Sequence, residues 1–251
     1  MASDKEQILS TKEIRNRTLL SFLFFVLFIA LCIAGWQWLH KQPEDNGIPK
    51  PLRTVLNTNE KIFMSLFANN HLARSYPVKD AVPRVRVNGD AGMGDNFDAT
   101  TWKLQLVRKP GDTLYITMAD IKALPKTEII FDFKCIEGWS QVTHWAGVKF
   151  TDFVRQYHLE EQSQMKFAGL TTPDKEYYVG IDSKSMLHPQ TLLCYEMNGQ
   201  PLPMNQGFPL RLIIPVKYGV KNIKRIGTIF FSNERPPDYW YERGYDYYGG
   251  L

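Results

Sequence analysis

One candidate reactive group in this 251-residue chain is a lone cysteine at the end of a short aromatic run. Cys135 follows residues 131–134 (FDFK) and precedes residues 136–140 (IEGWS). Strand ends and loops commonly display reactive groups. A thiolate there could be a nucleophile or a soft metal ligand, although a buried structural cysteine is the commoner interpretation on residue type alone. His144 is nine residues further on, and its spacing does not establish a Cys–His pair.

A second candidate site is a long stretch without carboxylates. Residues 197–233 contain no Asp or Glu, but they contain five cations and the glycines Gly207, Gly219 and Gly227. Because a solvated surface normally mixes both signs, this pattern predicts an anionic ligand such as phosphate. An ordinary basic face fits equally well. The sequence contains no P-loop or GxGxxG pattern. The five cations are Arg211, Lys217, Lys221, Lys224 and Arg225.

Composition excludes several other classes of site. The three cysteines cannot form a disulfide scaffold, and at most Cys135 and Cys194 could pair, since Cys32 lies inside an apolar run. The sequence around Cys194 predicts a structural role. No CxxC or HExxH motif occurs, which argues against a structural zinc site. The formal charge of +4 is too small to indicate nucleic acid, so we expect no such partner.

The N-terminal segment predicts a membrane helix. Residues 19–39 (LLSFLFFVLFIALCIAGWQWL) carry no charge and are long enough to cross the hydrocarbon core. Three basic residues lie within 12–17, and Trp36 and Trp38 suit the opposite interface, so we expect a cytoplasmic N-terminus. The apolar core runs into these tryptophans without a small-residue cleavage site, which favours an uncleaved anchor.

The remaining chain predicts an α+β domain. Residues 42–51 read as a linker because they contain three prolines and a glycine. A helix is predicted from Asn59 to Leu72. We expect its apolar face to pack on the domain rather than on a membrane partner. The residues of this face are Ile62, Phe63, Leu66 and Phe67. Short helices are predicted after Thr117 and over residues 151–158. Strands are predicted over residues 102–106, 114–118, 128–133, 211–216 and 223–231.

Together these elements resemble the molybdopterin-binding domain of sulfite oxidase-type oxidoreductases. The resemblance covers about Pro83 to Ser232. Within the superfamily, this segment is most similar to the catalytic subunit of the bacterial periplasmic protein-methionine-sulfoxide reductase, whose cysteine loop reads C-x-E-x-W-S. Its motifs here are residues 135–140 (CIEGWS) with Trp145 and Gly147, 195–199 (YEMNG), 201–203 (PLP), 207–212 (GFPLRL), Pro215, 218–219 (YG) and 221–224 (KNIK). The implied fold is a sulfite oxidase-like molybdopterin-binding domain of the α+β class, preceded by one transmembrane helix.

The resemblance also implies a cofactor and its ligands. The cofactor would be molybdenum–molybdopterin with one pterin in the mononucleotide-free form, and Cys135 would be the protein thiolate on molybdenum. Gln206 stands where the reductase has an asparagine. The positions matched to cofactor binding are Asn88, Thr171, Gln206, Arg211, Asn222, Ile223 and Lys224.

The function implied is two-electron oxygen-atom transfer by a membrane-anchored molybdenum oxidoreductase. We expect reduction of a small-molecule or protein-bound sulfoxide, with electrons from a membrane b-type cytochrome, because the sequence has no haem-attachment or iron–sulfur motif of its own. A sulfite-type oxidase and a cofactor-free membrane-anchored binding module are the alternatives. Activity that requires a reduced dye as electron donor would support the reductase, whereas activity that reduces an electron acceptor would support the oxidase. Bound metal would support either enzyme over the binding module.

The expected location is the inner (cytoplasmic) membrane, single-pass, with a periplasmic catalytic domain. The segment 15–17 (RNR) only approximates a twin-arginine signal, so a cytoplasmic domain is the alternative. The predicted organisation is a cytoplasmic tail (1–17), an anchor (18–39), a linker (40–58), a helix and lead-in (59–82), the molybdopterin-binding domain (83–232) and an aromatic tail (233–251). We expect the tail to wrap the domain rather than to dock a partner.

Overall fold

The computed structural model describes residues 10–67, 70–94 and 97–250. The chain forms two compact units, Met1–Thr54 and Val55–Leu251. Helix α2 (Lys50–Leu66) begins in the first unit and continues into the second.

The first unit is dominated by helix α1 (Thr11–His40). Its N-terminus forms a capping box, in which the Ser10 hydroxyl accepts the Glu13 backbone N–H and the Glu13 carboxylate accepts the Ser10 N–H. An 18-residue window of α1 has a mean hydropathy of 2.6, and no part of this window is buried. The helix is therefore long and apolar enough to be a single-pass anchor, although an N-terminal signal sequence has the same properties.

A β-hairpin follows α1 where the sequence suggested a linker. Strands β1 (Glu44–Asp45) and β2 (Ile48–Pro49) pair antiparallel, and α2 begins directly after β2. Asn46 and Gly47 both have positive φ, which closes the two-residue turn.

Helix α2 differs from its prediction in position and in orientation. It begins nine residues before the predicted start at Asn59, where Pro51 suits the first turn of a helix, and it ends at Leu66. The expectation that its apolar face packs on the domain is wrong for Ile62 and Leu66, whose side chains are exposed. The buried residue on the second-unit part of this helix is Glu60.

The second unit contains two five-stranded sheets, which confirms the α+β prediction. The first has the order β10–β9–β6–β5 with β11 also on β9, and the second has the order β4–β3–β12–β7–β8. Strands β3 and β12 pair parallel, and the other pairs are antiparallel. The strands are β3 (Leu104–Lys109), β4 (Asp112–Ile116), β5 (Lys126–Lys134), β6 (Ser140–Lys149), β7 (Phe167–Thr171), β8 (Tyr178–Asp182), β9 (Leu192–Met197), β10 (Gln200–Pro201), β11 (Arg211–Ile213) and β12 (Thr228–Ser232).

Four short helices connect these strands: α3 (Met118–Lys122), α4 (Phe150–Gln156), α5 (Glu160–Ser163) and α6 (Ser183–Met186). The predicted start of α3 is confirmed, because Thr117 and Asp120 form a reciprocal capping box. The prediction that a strand begins at residue 223 is wrong. Arg225 has a φ of 48°, which interrupts an extended chain, and β12 starts only at Thr228.

The core of the second unit has two hydrophobic clusters. The larger lies among β3, β7, β12 and the short helices, and the smaller lies beneath β5, β6 and β9. Cys194 is fully buried in the smaller cluster, which agrees with its predicted structural role. Within the part of the chain that the structure describes, Cys32, Cys135 and Cys194 are all free. The smaller cluster supports the end of β5, from which Cys135 emerges.

Candidate functional site

A tight turn at the end of β5 presents the thiol of Cys135. The Cys135 N–H donates to the Trp139 carbonyl over 2.9 Å, and the Gly138 N–H donates to the Cys135 carbonyl over 3.1 Å. Gly138 has a φ of 85°, a conformation that costs a glycine little and other residues more. The sequence C-I-E-G therefore forms a closed loop that fixes where the sulfur lies.

Cys135 lines a cavity of about 240 Å³ together with most of the predicted cofactor-binding residues. These residues come from segments far apart in the sequence, and the two sheets bring them together. The predicted residues that line the cavity are Cys135, Asn88, Gln206, Arg211, Asn222 and Lys224.

Asn88 connects the sulfur to one of the two predicted cations. Its side-chain Nδ2 donates to Cys135 Sγ over 3.4 Å. Its backbone carbonyl accepts from Lys224 Nζ over 2.8 Å, and the Gly89 carbonyl accepts from the same ammonium over 2.9 Å. Burial, and then the neighbouring positive charge of Arg211, lowers the pKa of Lys224 to about 8.

Arg211 is a buried cation that has no carboxylate partner among the described residues. Its NH1 donates to the Gln206 backbone carbonyl over 3.0 Å and to Gln206 Oε1 over 2.9 Å, and its guanidinium lies 4.6 Å from the Trp145 ring centroid. Its buried Nε has no hydrogen-bond partner in the part of the chain that the structure describes. Burial lowers the pKa of Arg211 to about 10. Because an uncompensated buried charge is costly, this arrangement favours an anionic ligand.

Two amide side chains brace the cavity walls. Gln206 Nε2 donates to the Val85 carbonyl over 3.1 Å. Asn222 Oδ1 accepts from the Ile214 N–H over 2.7 Å, and its Nδ2 donates to the Tyr218 carbonyl over 3.0 Å. These bonds keep two loop segments in place around the cations.

The side chains of two predicted residues lie outside this cavity. Ile223 is fully buried in the larger core cluster, and its carbonyl accepts from the Leu212 N–H over 2.9 Å. Thr171 ends β7, and its carbonyl accepts from the Gly227 N–H over 2.7 Å. Roles for Thr171 and Ile223 in cofactor binding stay predictions.

The predicted run of cations divides into separate groups. Arg211 and Lys224 line the cavity, whereas Lys217 is paired with Asp182 over 2.9 Å and Lys221 is paired with Asp238. Both pairs are buried. Acids from other parts of the chain therefore neutralise these two lysines, and a count restricted to residues 197–233 could not reveal them.

Glu137 and His144, the other ionisable groups near the cysteine, have separate partners. Trp139 Nε1 donates to Glu137 Oε2 over 3.1 Å, within the cysteine loop. Hydrogen bonds from Asn88 and Trp139, together with the charge of Arg86, lower the pKa of the Glu137 carboxyl. His144 Nε2 lies 3.0 Å from Glu128 Oε2, and His144 does not line the cavity. The structure therefore gives no support to a Cys–His nucleophile.

Aromatic residues that the sequence did not assign to the site form part of the cavity wall. Tyr177 donates from its hydroxyl to the Val220 carbonyl over 2.6 Å. Trp240 and Tyr245 come from the C-terminal tail, and their ring centroids are 4.9 Å apart. The tail wraps the domain as predicted, with Tyr247 and Tyr248 buried. The density of aromatic residues in the tail was the signal that could have assigned it to the cavity.

The donor set suits an anionic metal cofactor that brings most of its own ligands. Among the described residues, no group of three or more His, Cys, Asp or Glu side chains could hold a metal ion. One thiol is available, beside two cations and the unpartnered Nε of Arg211. A soft metal with sulfur and phosphate groups on its organic ligand would match these three features.

Comparisons with known proteins give the family of this chain. The model of the oxidoreductase molybdopterin binding domain matches residues 91–240. The putative protein-methionine-sulfoxide reductase subunit YedZ1 of Azospira oryzae is 33% identical over 210 residues, which cover 82% of this chain and 79% of that protein. The protein-methionine-sulfoxide reductase catalytic subunit MsrP of Campylobacter jejuni is 32% identical over 164 residues, 59% of this chain and 54% of that protein. This chain thus spans about half the length of that MsrP protein.

A solved structure is also similar. The sulfane dehydrogenase SoxCD of Paracoccus pantotrophus has a TM-score of 0.49 and 15% sequence identity, and the match covers 56% of this chain and 40% of that chain.

Proposed function

Because this chain belongs to the oxidoreductase molybdopterin-binding domain family, we propose that it reduces a sulfoxide at a molybdenum–pterin centre held by Cys135. The chain is a molybdopterin-dependent oxidoreductase. The observation that carries the proposal is the meeting of one thiol, Arg211 and Lys224 in a single cavity. A cofactor-free binding module would not require two cations and a cysteine at the same place.

Each residue of the cavity has a defined task in this proposal. The Cys135 thiolate is the protein's soft ligand for molybdenum. Arg211 and Lys224 neutralise the phosphate of the pterin through charge-assisted hydrogen bonds, for which the Nε of Arg211 is available. When bound, the cofactor supplies two-electron oxygen-atom exchange. The single-pterin, mononucleotide-free form belongs to the proposal, and the resemblance to sulfite oxidase-type domains supports it.

Asn88, Gln206 and Asn222 hold the site in shape. Asn88 donates to the sulfur that would bind the metal, and outer hydrogen bonds of this kind orient a ligand and tune its basicity. Gln206 fixes Arg211 through Oε1, and Asn222 fixes the loop before Lys224. Trp240, Tyr245 and Tyr177 form an aromatic part of the cavity wall.

The direction of reaction and the substrate are proposed from the relatives. The Azospira oryzae and Campylobacter jejuni proteins are both named as protein-methionine-sulfoxide reductases. An aromatic wall suits a methyl sulfoxide, because sulfur and methyl groups pack favourably on ring edges. The substrate is therefore a small-molecule or protein-bound sulfoxide.

The proposal extends to an electron donor and a location. The Azospira oryzae protein is named as a subunit, which supports a separate electron carrier, and a membrane b-type cytochrome is the proposed donor. Helix α1 would anchor the chain in the inner membrane as a single pass, with the catalytic domain on the periplasmic side. Such an anchor would keep the domain close to a membrane-bound donor.

The deciding experiment uses full-length protein from a host that makes and inserts the cofactor. We expect near-stoichiometric molybdenum, and oxidation of a reduced viologen dye on addition of methionine sulfoxide, free or in a peptide. Cys135→Ala should lose turnover and lower the molybdenum content, because Cys135 is the only sulfur-containing residue among the described residues that line the cavity. Cys194→Ala, which changes a buried cysteine outside the cavity, is the matched control.

Different outcomes would favour the other two classes. Sulfite-dependent reduction of an acceptor, without sulfoxide-dependent dye oxidation, would replace the reductase by a sulfite-type oxidase. Folded protein without molybdenum from the same host would replace both by a binding module.

A further inference from the structure

Helix α2 carries an apolar stripe that the second unit leaves exposed. Val55, Ile62 and Leu66 are 56%, 49% and 72% exposed. At 3.6 residues per turn these three positions fall within a sector of about 40°. Phe63 extends the stripe on one side, with its ring stacked 6.4 Å from that of Tyr248. The stripe covers three turns of the helix. Its apolar residues are not buried against the second unit, so packing within that unit does not explain why they are apolar.

The side of the same helix that is buried or half-buried carries Glu60 together with the apolar residues Leu56 and Met64. Glu60 is 3% exposed, and both of its carboxylate oxygens accept from Arg235 NH2, over 2.7 and 2.6 Å. Ordinary surface helices bury an apolar stripe and expose a polar one. This helix has half-buried apolar residues on its covered side and, in addition, leaves the apolar stripe of Val55, Ile62 and Leu66 exposed, so the stripe is open to a further nonpolar surface.

The charges on α2 favour an anionic surface. Its sequence contains one acid, Glu60, which Arg235 neutralises. Lys50 and Lys61 are exposed. The solvent-facing part of the helix therefore carries only positive formal charge, beside an apolar stripe. This combination is typical of helices that lie in the headgroup region of a bilayer.

The hairpin in the first unit keeps the start of α2 near the end of α1. The Lys50 N–H donates to the Pro43 carbonyl over 2.9 Å, and Arg53 NH2 donates to the Asn46 carbonyl over 2.8 Å. Pro43 follows the last residue of α1, His40, by three residues, which can span at most about 11 Å. If α1 crosses a membrane, α2 therefore begins no more than a few ångströms beyond this distance from the end of the membrane helix.

We propose that α2 is an interfacial helix that lies on the lipid surface next to the anchor. Val55, Ile62 and Leu66 enter the boundary between headgroups and acyl chains, while Lys50 and Lys61 contact anionic headgroups. The proposal rests on the membrane insertion of α1 and is independent of the redox chemistry. Lipid is favoured over a protein partner because the short hairpin begins α2 close to the end of α1 and because the exposed charges of α2 are of one sign.

Fluorescence in nanodiscs tests this contact with the full-length chain. A bimane label on Leu66→Cys, in a Cys32→Ala background, reports the stripe, since Cys135 and Cys194 are buried. Nanodiscs contain phosphatidylcholine and phosphatidylglycerol, with or without lipids that carry a doxyl group near the headgroup. We expect blue-shifted emission and loss of most of the fluorescence with doxyl lipid. The same label on Tyr115→Cys, an exposed position on β4, should keep its fluorescence.

A second pair of variants keeps the proposal falsifiable. Ile62→Glu places a charge within the stripe and should abolish the quenching at position 66. Ser65→Glu adds the same charge at an exposed position about 60° from Ile62 around the helix, outside the sector of the stripe, and should preserve the quenching. Water-like, unquenched emission at position 66 would overturn the lipid contact, as would protection that requires an added membrane protein. Failure of the chain to enter nanodiscs would overturn the anchor and this proposal with it.

Discussion

The polar contacts of Cys135 distinguish its sulfur from the buried sulfur of Cys194. Cys194 is enclosed in the hydrophobic core, where burial raises the pKa of its thiol to about 12. Cys135 instead lies beside the amide of Asn88, and the carbonyl of that asparagine holds Lys224. Two thiols of one chain are thus assigned different tasks by their neighbours, and only Cys135 lies where a metal cofactor could reach it.

Asn88→Ala should distinguish the role of Asn88 in tuning the Cys135 sulfur from the role of that sulfur in binding the metal. The substitution removes the donor to Cys135 Sγ but leaves the sulfur and both cations in place. We expect the molybdenum content to stay near that of the unmodified protein and sulfoxide-dependent turnover to fall about 10- to 100-fold. Metal analysis and dye-linked kinetics on the same preparation give both values. Val87→Ala, at the exposed neighbouring position, serves as the control, and normal turnover of Asn88→Ala would contradict the tuning role.

Retention of the pterin should depend on pH through Lys224. The pKa of this lysine is lowered to about 8 by burial and by Arg211, so the empty site loses a positive charge as pH rises through that value. A bound phosphate favours the protonated lysine and raises its pKa, so affinity must fall with increasing pH above about 8. Pterin released after equilibration at pH values on both sides of 8 measures this.

Lys224→Arg provides the matched comparison for that pH dependence. Because a guanidinium stays protonated throughout this range, the variant should hold the pterin with little dependence on pH. An equal loss of pterin at high pH from the unmodified protein and from Lys224→Arg would show that deprotonation of Lys224 does not cause the loss.

At the scale of elements, the C-terminal tail is fixed to the domain by a buried ion pair and by aromatic contacts. Asp238 binds the ammonium of Lys221, and it also accepts from the Gly180 N–H over 3.1 Å and from the Tyr241 N–H over 3.0 Å. The ammonium of Lys217 lies 3.0 Å from the ring centroid of Tyr248. Because the tail also supplies Trp240 and Tyr245, its attachment determines part of the cavity wall.

Asp238→Asn should loosen this attachment and leave a buried lysine without its counter-ion. Removing one partner of a buried pair typically costs about 3–5 kcal/mol of unfolding free energy. Chemical denaturation should therefore show a large decrease in stability, accompanied by weaker substrate binding. Glu234→Gln, at an exposed tail position, should change stability by less than about 0.5 kcal/mol. A stability of Asp238→Asn equal to that of this control would show that the pair does not fix the tail.

The sequence predicts secondary-structure elements well where the signal comes from neighbouring residues. It predicts the structure less well where contacts between distant segments determine it. The capping box of α3 and the alternation along β3 involve neighbouring residues; the start of α3 forms as predicted, and β3 forms but is shifted to residues 104–109 from the predicted 102–106. The predicted loop after the strand that leads to Cys135 is also present. The pairing of Lys221 with Asp238 and the placement of Trp240 depend on tertiary contacts between distant segments. The motif spacing therefore predicts most cavity-lining residues, while the tail that completes the wall is not assigned to the site.

At the scale of the whole molecule, the apolar helix α1 is followed along the chain by a hairpin over residues 44–49 and then directly by α2, rather than by an unstructured linker. A flexible linker would leave the orientation of the catalytic domain to chance. A helix that lies on the lipid would instead restrict that orientation, which favours electron transfer from a membrane-bound donor.

Deletion of residues 1–41 should separate anchoring from surface contact. The shortened chain retains the hairpin and α2, so we expect it to bind phosphatidylglycerol vesicles at low ionic strength and to be released by salt, because exposed charges are screened. Dye-linked sulfoxide reduction should persist, since the cavity residues all lie after residue 80, while quinol-linked turnover in membranes should fall. Vesicle flotation and the two assays measure these effects. A shortened chain that never binds vesicles, although folded and active with dye, would leave α1 as the sole membrane contact and would assign the exposed stripe of α2 to a protein partner.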